Sequence, residues 1–139
     1  MSSETRDDAT GRRVLVVEDC DDIRWLLELW LTDDPRCAHV TEASSAADAR
    51  RIAARGDETF DAIVLDYMLG DGTAADCLPH LRAAWPHAHI LVYTASMSVA
   101  REAGLFALGA DKIVEKVAVV VEDVVDLVLE PASKSEAAA

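Results

Sequence analysis

The chain is short of positive charge: 13 lysines and arginines stand against 26 aspartates and glutamates, a formal net charge of -13. Nucleic-acid binding draws on clustered Lys and Arg, so this balance argues against it. It does not specify a basic partner, because acidic surfaces also serve solubility alone. Cysteine is scarce. Cys20, Cys37 and Cys77 are odd in number and widely spaced, which indicates neither a disulfide framework nor a zinc site and leaves free thiols in a reducing cytosol. No stretch approaches the ~20 apolar residues of a membrane span. Met1 to Gly11 is polar, unlike a secretion signal. The expectation is a cytoplasmic protein that binds neither membrane nor nucleic acid.

What the chain does have is apolar content, 51% of 139 residues, enough for the full core of one domain. It comes in short runs. Val14-Leu15-Val16-Val17 stops abruptly at Glu18-Asp19 and reads as a strand buried on both faces. Asp21 and Asp22 start an amphipathic helix over Ile23 to Leu31. His39 to Glu42 is a short strand, and Ser44-Ser45 opens an alanine-rich helix closed by Gly56. The cycle then repeats. Ala62 to Leu65 is a strand stopping at Asp66, Gly70-Asp71-Gly72-Thr73 is a turn, and a helix runs to about Trp85, started late or kinked by Pro79. Ile90 to Tyr93 is a strand ending at Thr94, and Val99 to Leu108 is a helix stopped by Gly109. Lys112 to Glu115 is a weak strand, and Val117 to Leu129 the last helix. Five alternations predict an α/β fold, a doubly wound five-stranded parallel sheet flanked by five helices. The expected organisation is an arm over 1–12, one domain over 13–130 and a tail over 131–139.

In such a sheet ligands bind at the carboxyl ends of the strands, near the point where strand order reverses. Glu18-Asp19, Asp66, Thr94 and Lys116 all fall there. Three carboxylates in one place repel, and oxygen donors on short loops suit Mg²⁺. A divalent ion so held can neutralise charge as a phosphoryl group moves onto a carboxylate. An Asp is a competent nucleophile for that transfer. Thr94 and Lys116 can hold the remaining phosphoryl oxygens, one by hydrogen bond and one by charge. Taken singly each residue has a plainer explanation: a loop solubiliser, a helix cap, a solvated lysine. It is their joint occurrence that points to an aspartyl-phosphate site.

Over about Arg13 to Glu130 the sequence resembles the response-regulator receiver family of two-component signalling, which has a flavodoxin-like fold. Val16 to Arg24 looks like the family's acidic-pair loop and first helix, and Leu65 to Gly72 like its acceptor strand and loop. Val92-Tyr93-Thr94-Ala95 looks like its hydroxyl motif, and Gly109-Ala110-Asp111 before Lys116 like the approach to its lysine. The resemblance implies that Asp66 is the phosphoacceptor, with Asp19, Asp66 and the Met68 carbonyl binding Mg²⁺ and Glu18 acting through a metal-bound water. It implies that Thr94 moves toward the phosphoryl group, that Lys116 pairs with it, and that Met68 and Ser96 occupy positions that tune autodephosphorylation. The implied partners are a histidine kinase or histidine phosphotransfer protein and a downstream protein target.

The sequence departs from the family at four places. Gly70 stands where the family usually has Pro, and Ala74 where it usually has Gly. Val117 replaces the Pro that follows the lysine through a cis bond; before a non-proline residue that bond costs about 2.5–4 kcal/mol, so the loop is expected to take another path. Ile113 replaces an aromatic residue that rotates inward when Thr94 moves, so the Thr94/Ile113 switch is expected to be altered. Two surfaces stand out. Apolar residues on the last helix spread wider than one buried stripe needs, so Val121, Val125 and Leu129 are expected to be partly exposed, either under loops or on a homodimer or docking face. On the first helix Ile23, Leu27 and Trp30 share a face, while Trp25 points the other way near Leu29, a candidate anchor for the phosphodonor. The four histidines have no acidic or cysteine partner at ligand spacing.

The expected function is thus a single-domain response regulator, a signalling phosphoacceptor rather than an enzyme acting on other substrates. Its output would be protein binding or phosphorelay. Two alternatives remain. One is a degenerate receiver acting as a dimerisation or docking module. The other is a haloacid-dehalogenase-type phosphohydrolase, which needs a second Asp where Met68 stands.

Overall fold

The computed structural model describes residues 11–95, 97–116 and 121–130. Most of the expected arm, the tail, Ser96, Val117 and the expected start of the last helix lie outside the described residues. Five strands, β1 (Arg12–Val17), β2 (Cys37–Ala43), β3 (Ala62–Asp66), β4 (His89–Thr94) and β5 (Lys112–Glu115), alternate with five helices. These are α1 (Asp21–Thr32), α2 (Ala46–Arg55), α3 (Ala74–Ala84), α4 (Val99–Leu108) and α5 (Val121–Leu129). All strand pairings are parallel, in the order β2-β1-β3-β4-β5. The chain winds outward from β1 to β2 and then back across it to β3, so strand order reverses between β1 and β3.

The alternation of strand side chains divides the core in two. Leu15, Val17, Ile63, Leu65, Ile90 and Val92 face α2, α3 and Leu105 of α4. Val14, Val16, Ala62, Val64, Leu91 and Tyr93 face Leu27 and Leu31 of α1 and the buried valines of α5. Both faces are covered, which is why these strands read as unbroken apolar runs. Each fully buried leucine stabilises the fold by roughly 1.5–3 kcal/mol.

Helix boundaries follow local chemistry. The Ser45 side chain accepts from the Asp48 N–H at the start of α2, and Gly56 ends that helix at φ 67°. The Asp71 carboxylate, from the loop after β3, accepts from the Ala46 and Ala47 N–H groups at 2.9 and 3.0 Å. It thus caps α2 across the fold. Gly70 has φ 77°, and a Cβ there would lie 3.4 Å from an Asp19 carboxylate oxygen. Positive φ rules out the family's usual proline and favours glycine. Ala74 is fully buried as the first residue of α3, so its methyl is accommodated. Pro79 neither delays nor ends α3, which runs on from Ala74 to Ala84.

Two surface expectations are corrected. Val125 and Leu129 are buried, not partly exposed, because α5 packs its wide apolar arc against β1, β3 and α1; Val121 is half-buried at the edge. Trp30 does not share the buried face of α1. That face is centred on Leu27 and Leu31, and Trp30 sits on its flank, exposed. Trp25 and Leu29 are exposed as expected, at 58% and 46%.

Candidate functional site

The strand ends place the acidic residues at one edge of the sheet. β1 delivers Glu18, buried to 1% exposure, and the next residue, Asp19, stands exposed at the mouth. β3 delivers Asp66 at its last position, buried at 5%. One carboxylate oxygen from each of Glu18, Asp19 and Asp66 lies within 4.8 Å of the others. β4 delivers buried Thr94, whose carbonyl accepts from the Lys116 N–H at 2.7 Å, holding the lysine backbone just past β5. The Lys116 Nζ lies 3.3 Å from Glu18 Oε1 and 3.4 Å from Asp66 Oδ1. It also sits 5.4 Å from the Tyr93 ring centroid. The site residues read from the strand ends therefore share one cavity of about 210 Å³, with Tyr67, Met68 and Arg101 also on its wall.

The electrostatics are those of a crowded acidic centre with one internal cation. Burial, then a hydrogen bond and repulsion from Asp66, push the Glu18 carboxyl up to about 8, with Lys116 opposing. Burial works to lower the Lys116 pKa, but attraction from Glu18 and Asp66 outweighs it and leaves the ammonium more basic than usual. Burial likewise raises the Tyr93 phenol. The Glu18 carboxylate is held in place by the Cys20 N–H at 3.2 Å, and its backbone carbonyl accepts from the Arg24 guanidinium at 2.7 Å.

A carboxyl that takes a proton because it is buried and then crowded by a second carboxylate is a position where a cation fits. Three carboxylates converge from two adjacent loops, and hard oxygen donors suit Mg²⁺ or Ca²⁺. Among the described backbone hydrogen bonds none uses the Met68 carbonyl, in the same loop. The Met68 side chain is 60% exposed at the rim.

Ile113 is half-buried and packs against the core on the α4 side. Arg101 was not singled out from the sequence. It reaches the site from the first turn of α4, and its guanidinium carbon lies 4.5 Å from the Tyr67 ring centroid. No motif marks it; only the packing of α4 beside β4 brings it to the residue after Asp66. The cysteines are free, as spacing indicated. Among the described residues no helix is long and apolar enough to cross a membrane.

Residues 14–127 match the family model described as the response regulator receiver domain. No curated protein matches the sequence. Solved structures do. A response regulator from Burkholderia pseudomallei, crystallised with a phosphorylated aspartic acid, calcium ion and citrate, is 27% identical. The match covers 92% of this chain and 72% of that one, with a TM-score of 0.76. The non-phosphorylated HemR receiver domain from Leptospira biflexa is 25% identical over 88% of this chain and 97% of its own, TM-score 0.73. A CheY-like receiver domain protein from Methanospirillum hungatei JF-1, 21% identical over 93% and 99%, has the same fold with a TM-score of 0.77.

Proposed function

The chain belongs to the response regulator receiver domain family, and we propose that Asp66 is its phosphoacceptor, taking a phosphoryl group from a histidine kinase or histidine phosphotransfer protein in a Mg²⁺-dependent reaction. The observation that carries this reading is the convergence of Glu18, Asp19 and Asp66 with Lys116 at the strand ends. The phosphorylated aspartic acid and calcium ion of the Burkholderia pseudomallei protein support it by likeness.

A carboxylate oxygen of Asp66 attacks phosphorus as the P–N bond to the donor imidazole breaks, and the imidazole departs with the electron pair. Lys116, already paired with Asp66, turns its ammonium to a phosphoryl oxygen. Thr94 supplies a hydroxyl donor to another. Asp19, Asp66 and the Met68 carbonyl would hold the metal directly and Glu18 through water. When bound, the ion neutralises charge on the phosphoryl oxygens. Apart from this self-catalysed transfer and its hydrolytic reversal, no enzymatic role is assigned. A cytoplasmic location goes with this reading, and Trp25 and Leu29, exposed on α1, are the docking surface it assigns to the donor. Output is a phosphorylation-dependent interaction with a protein target or a relay to another histidine.

The test is incubation of the full chain with acetyl phosphate, with and without Mg²⁺, read by intact mass. The expected result is a Mg²⁺-dependent gain of one phosphoryl group, lost in Asp66→Asn. No gain in a folded protein that also fails to bind Mg²⁺ would instead support a docking module that works without phosphate.

A further inference from the structure

Arg101 is the cation at the site that the phosphotransfer reading does not use. It lines the same cavity as Asp66, Thr94 and Lys116. Its side chain is exposed and lies over the ring of Tyr67, the residue that follows the acceptor. Among the described residues its guanidinium forms no ion pair. Its helix is anchored at the same end of the sheet. The Ser98 side chain accepts from the Arg101 N–H at 3.2 Å, and the Met97 N–H donates to the Glu115 carboxylate of β5 at 3.1 Å. Thus a displacement of Arg101 acts on a capped and tethered first turn of α4, not on a loose loop.

Phosphorylation of Asp66 changes the electrostatics of that cavity. One carboxylate charge gives way to roughly two negative charges with three strong acceptor oxygens. A guanidinium is planar and can engage phosphoryl oxygens through two parallel N–H donors. Such a charge-assisted pair is stronger than contact with a half-exposed aromatic face. Lys116, just past β5, reaches both Asp66 and the Glu18 carboxylate at the end of β1. Arg101 approaches from α4, so the two cations do not compete for one direction. Half-buried Ile113 cannot rotate in as an aromatic ring would, which leaves the α4 side without that way of sensing the site.

We propose that Arg101 is the phosphoryl-sensing residue of this chain: it leaves the Tyr67 ring, pairs with the phosphoryl group on Asp66 and draws the first turn of α4 with it. Arg101 thereby acts as a positioning residue that makes α4 the reporting element. This rests on the reading of Asp66 as the acceptor. A small donor such as acetyl phosphate, itself an anion, meets the same guanidinium on entry.

The experiment is hydrogen exchange by mass spectrometry on the full chain, with and without acetyl phosphate and Mg²⁺. Phosphoryl content is measured by intact mass in the same samples, for wild type, Arg101→Ala and Arg101→Lys. In wild type, phosphorylation is expected to slow exchange over residues 97–105. Arg101→Ala is expected to lose that change at matched phosphoryl content and to raise the half-saturating acetyl phosphate concentration roughly two- to fivefold, the scale of one exposed ion pair. Arg101→Lys, which keeps charge but not the planar fork, is expected to recover part of both. A purely structural role for the arginine would shift baseline exchange in both states and leave their difference intact. The same phosphorylation-dependent change in Arg101→Ala as in wild type overturns the inference while leaving Asp66 as acceptor. Absence of phosphoryl gain in wild type overturns the acceptor reading, and the inference falls with it.

Discussion

Glu18 is buried beside a second carboxylate, and the consequence can be measured at a single residue. Its carboxyl is pushed up to about 8 from an ordinary 4.5, first by burial and then by Asp66. Between those values the folded chain holds a proton that the unfolded chain has released. The stability this contributes is full below about 4.5 and is lost as pH rises through about 8. In Mg²⁺-free buffer, urea denaturation is therefore expected to show stability falling across that window. Glu18→Gln is expected to remove much of the slope, and added Mg²⁺ to oppose the loss at the upper end. An identical slope in wild type and Glu18→Gln would contradict the assignment. Sequence reading marked Glu18 as a site residue from its place at the end of an apolar run. Its protonation depends on how deeply the site is buried and on Asp66 approaching from another strand, which no local pattern encodes.

At the scale of the element, the departures from the family pattern acquire causes. Gly70 occupies a positive-φ position with Asp19 close by, and the turn it makes sends Asp71 to the start of α2. The Asp71 carboxyl is held below its usual range by the Ala47 and Ala46 N–H groups. Helix α2 is therefore capped from two directions, by its own Ser45 and by the loop that carries the acceptor. Ser45→Ala is expected to cost about 1 kcal/mol in denaturant unfolding, and Asp71→Ala to lower the midpoint as well. Because it also frees the acceptor loop, Asp71→Ala is expected to increase hydrogen exchange over residues 67–73, which Ser45→Ala does not. Equal exchange in the two variants would show that the cap does not tie α2 to the loop. The Gly-Asp-Gly-Thr turn was legible in the sequence; that its aspartate caps a distant helix was not.

At the scale of the whole molecule, the exposed apolar surface is redistributed relative to expectation. The wide apolar arc of α5 closes one half of the core, so Val125 and Leu129 are withdrawn from any partner face. Exposed apolar side chains remain at Met68 on the rim of the acidic site and on α1, where Trp25, Leu29 and Trp30 are each more than 40% accessible. Trp25→Ala is expected to shift stability by less than about 0.5 kcal/mol, as for most surface changes. Phosphotransfer from the cognate histidine-bearing donor is expected to slow roughly tenfold or more, the scale of an interface anchor. Unaltered transfer in that variant would remove α1 as the docking surface.

The sequence by itself determined the alternation of strand and helix, because apolar runs bounded by charge or glycine admit few other readings. It also determined which residues end the strands, and hence the acidic centre with its threonine and lysine, since a parallel sheet gathers strand ends at one edge. Tertiary structure alone decided which faces of the helices are covered. A helix's own periodicity shows how wide its apolar arc is but not how much its neighbours bury, so the sequence left α5 open between packing and a partner face, and the fold buries Val125 and Leu129. It alone also decided that Arg101 lies over Tyr67 beside the acceptor, because that contact joins two elements 34 residues apart in the chain and is set by how α4 packs beside β4.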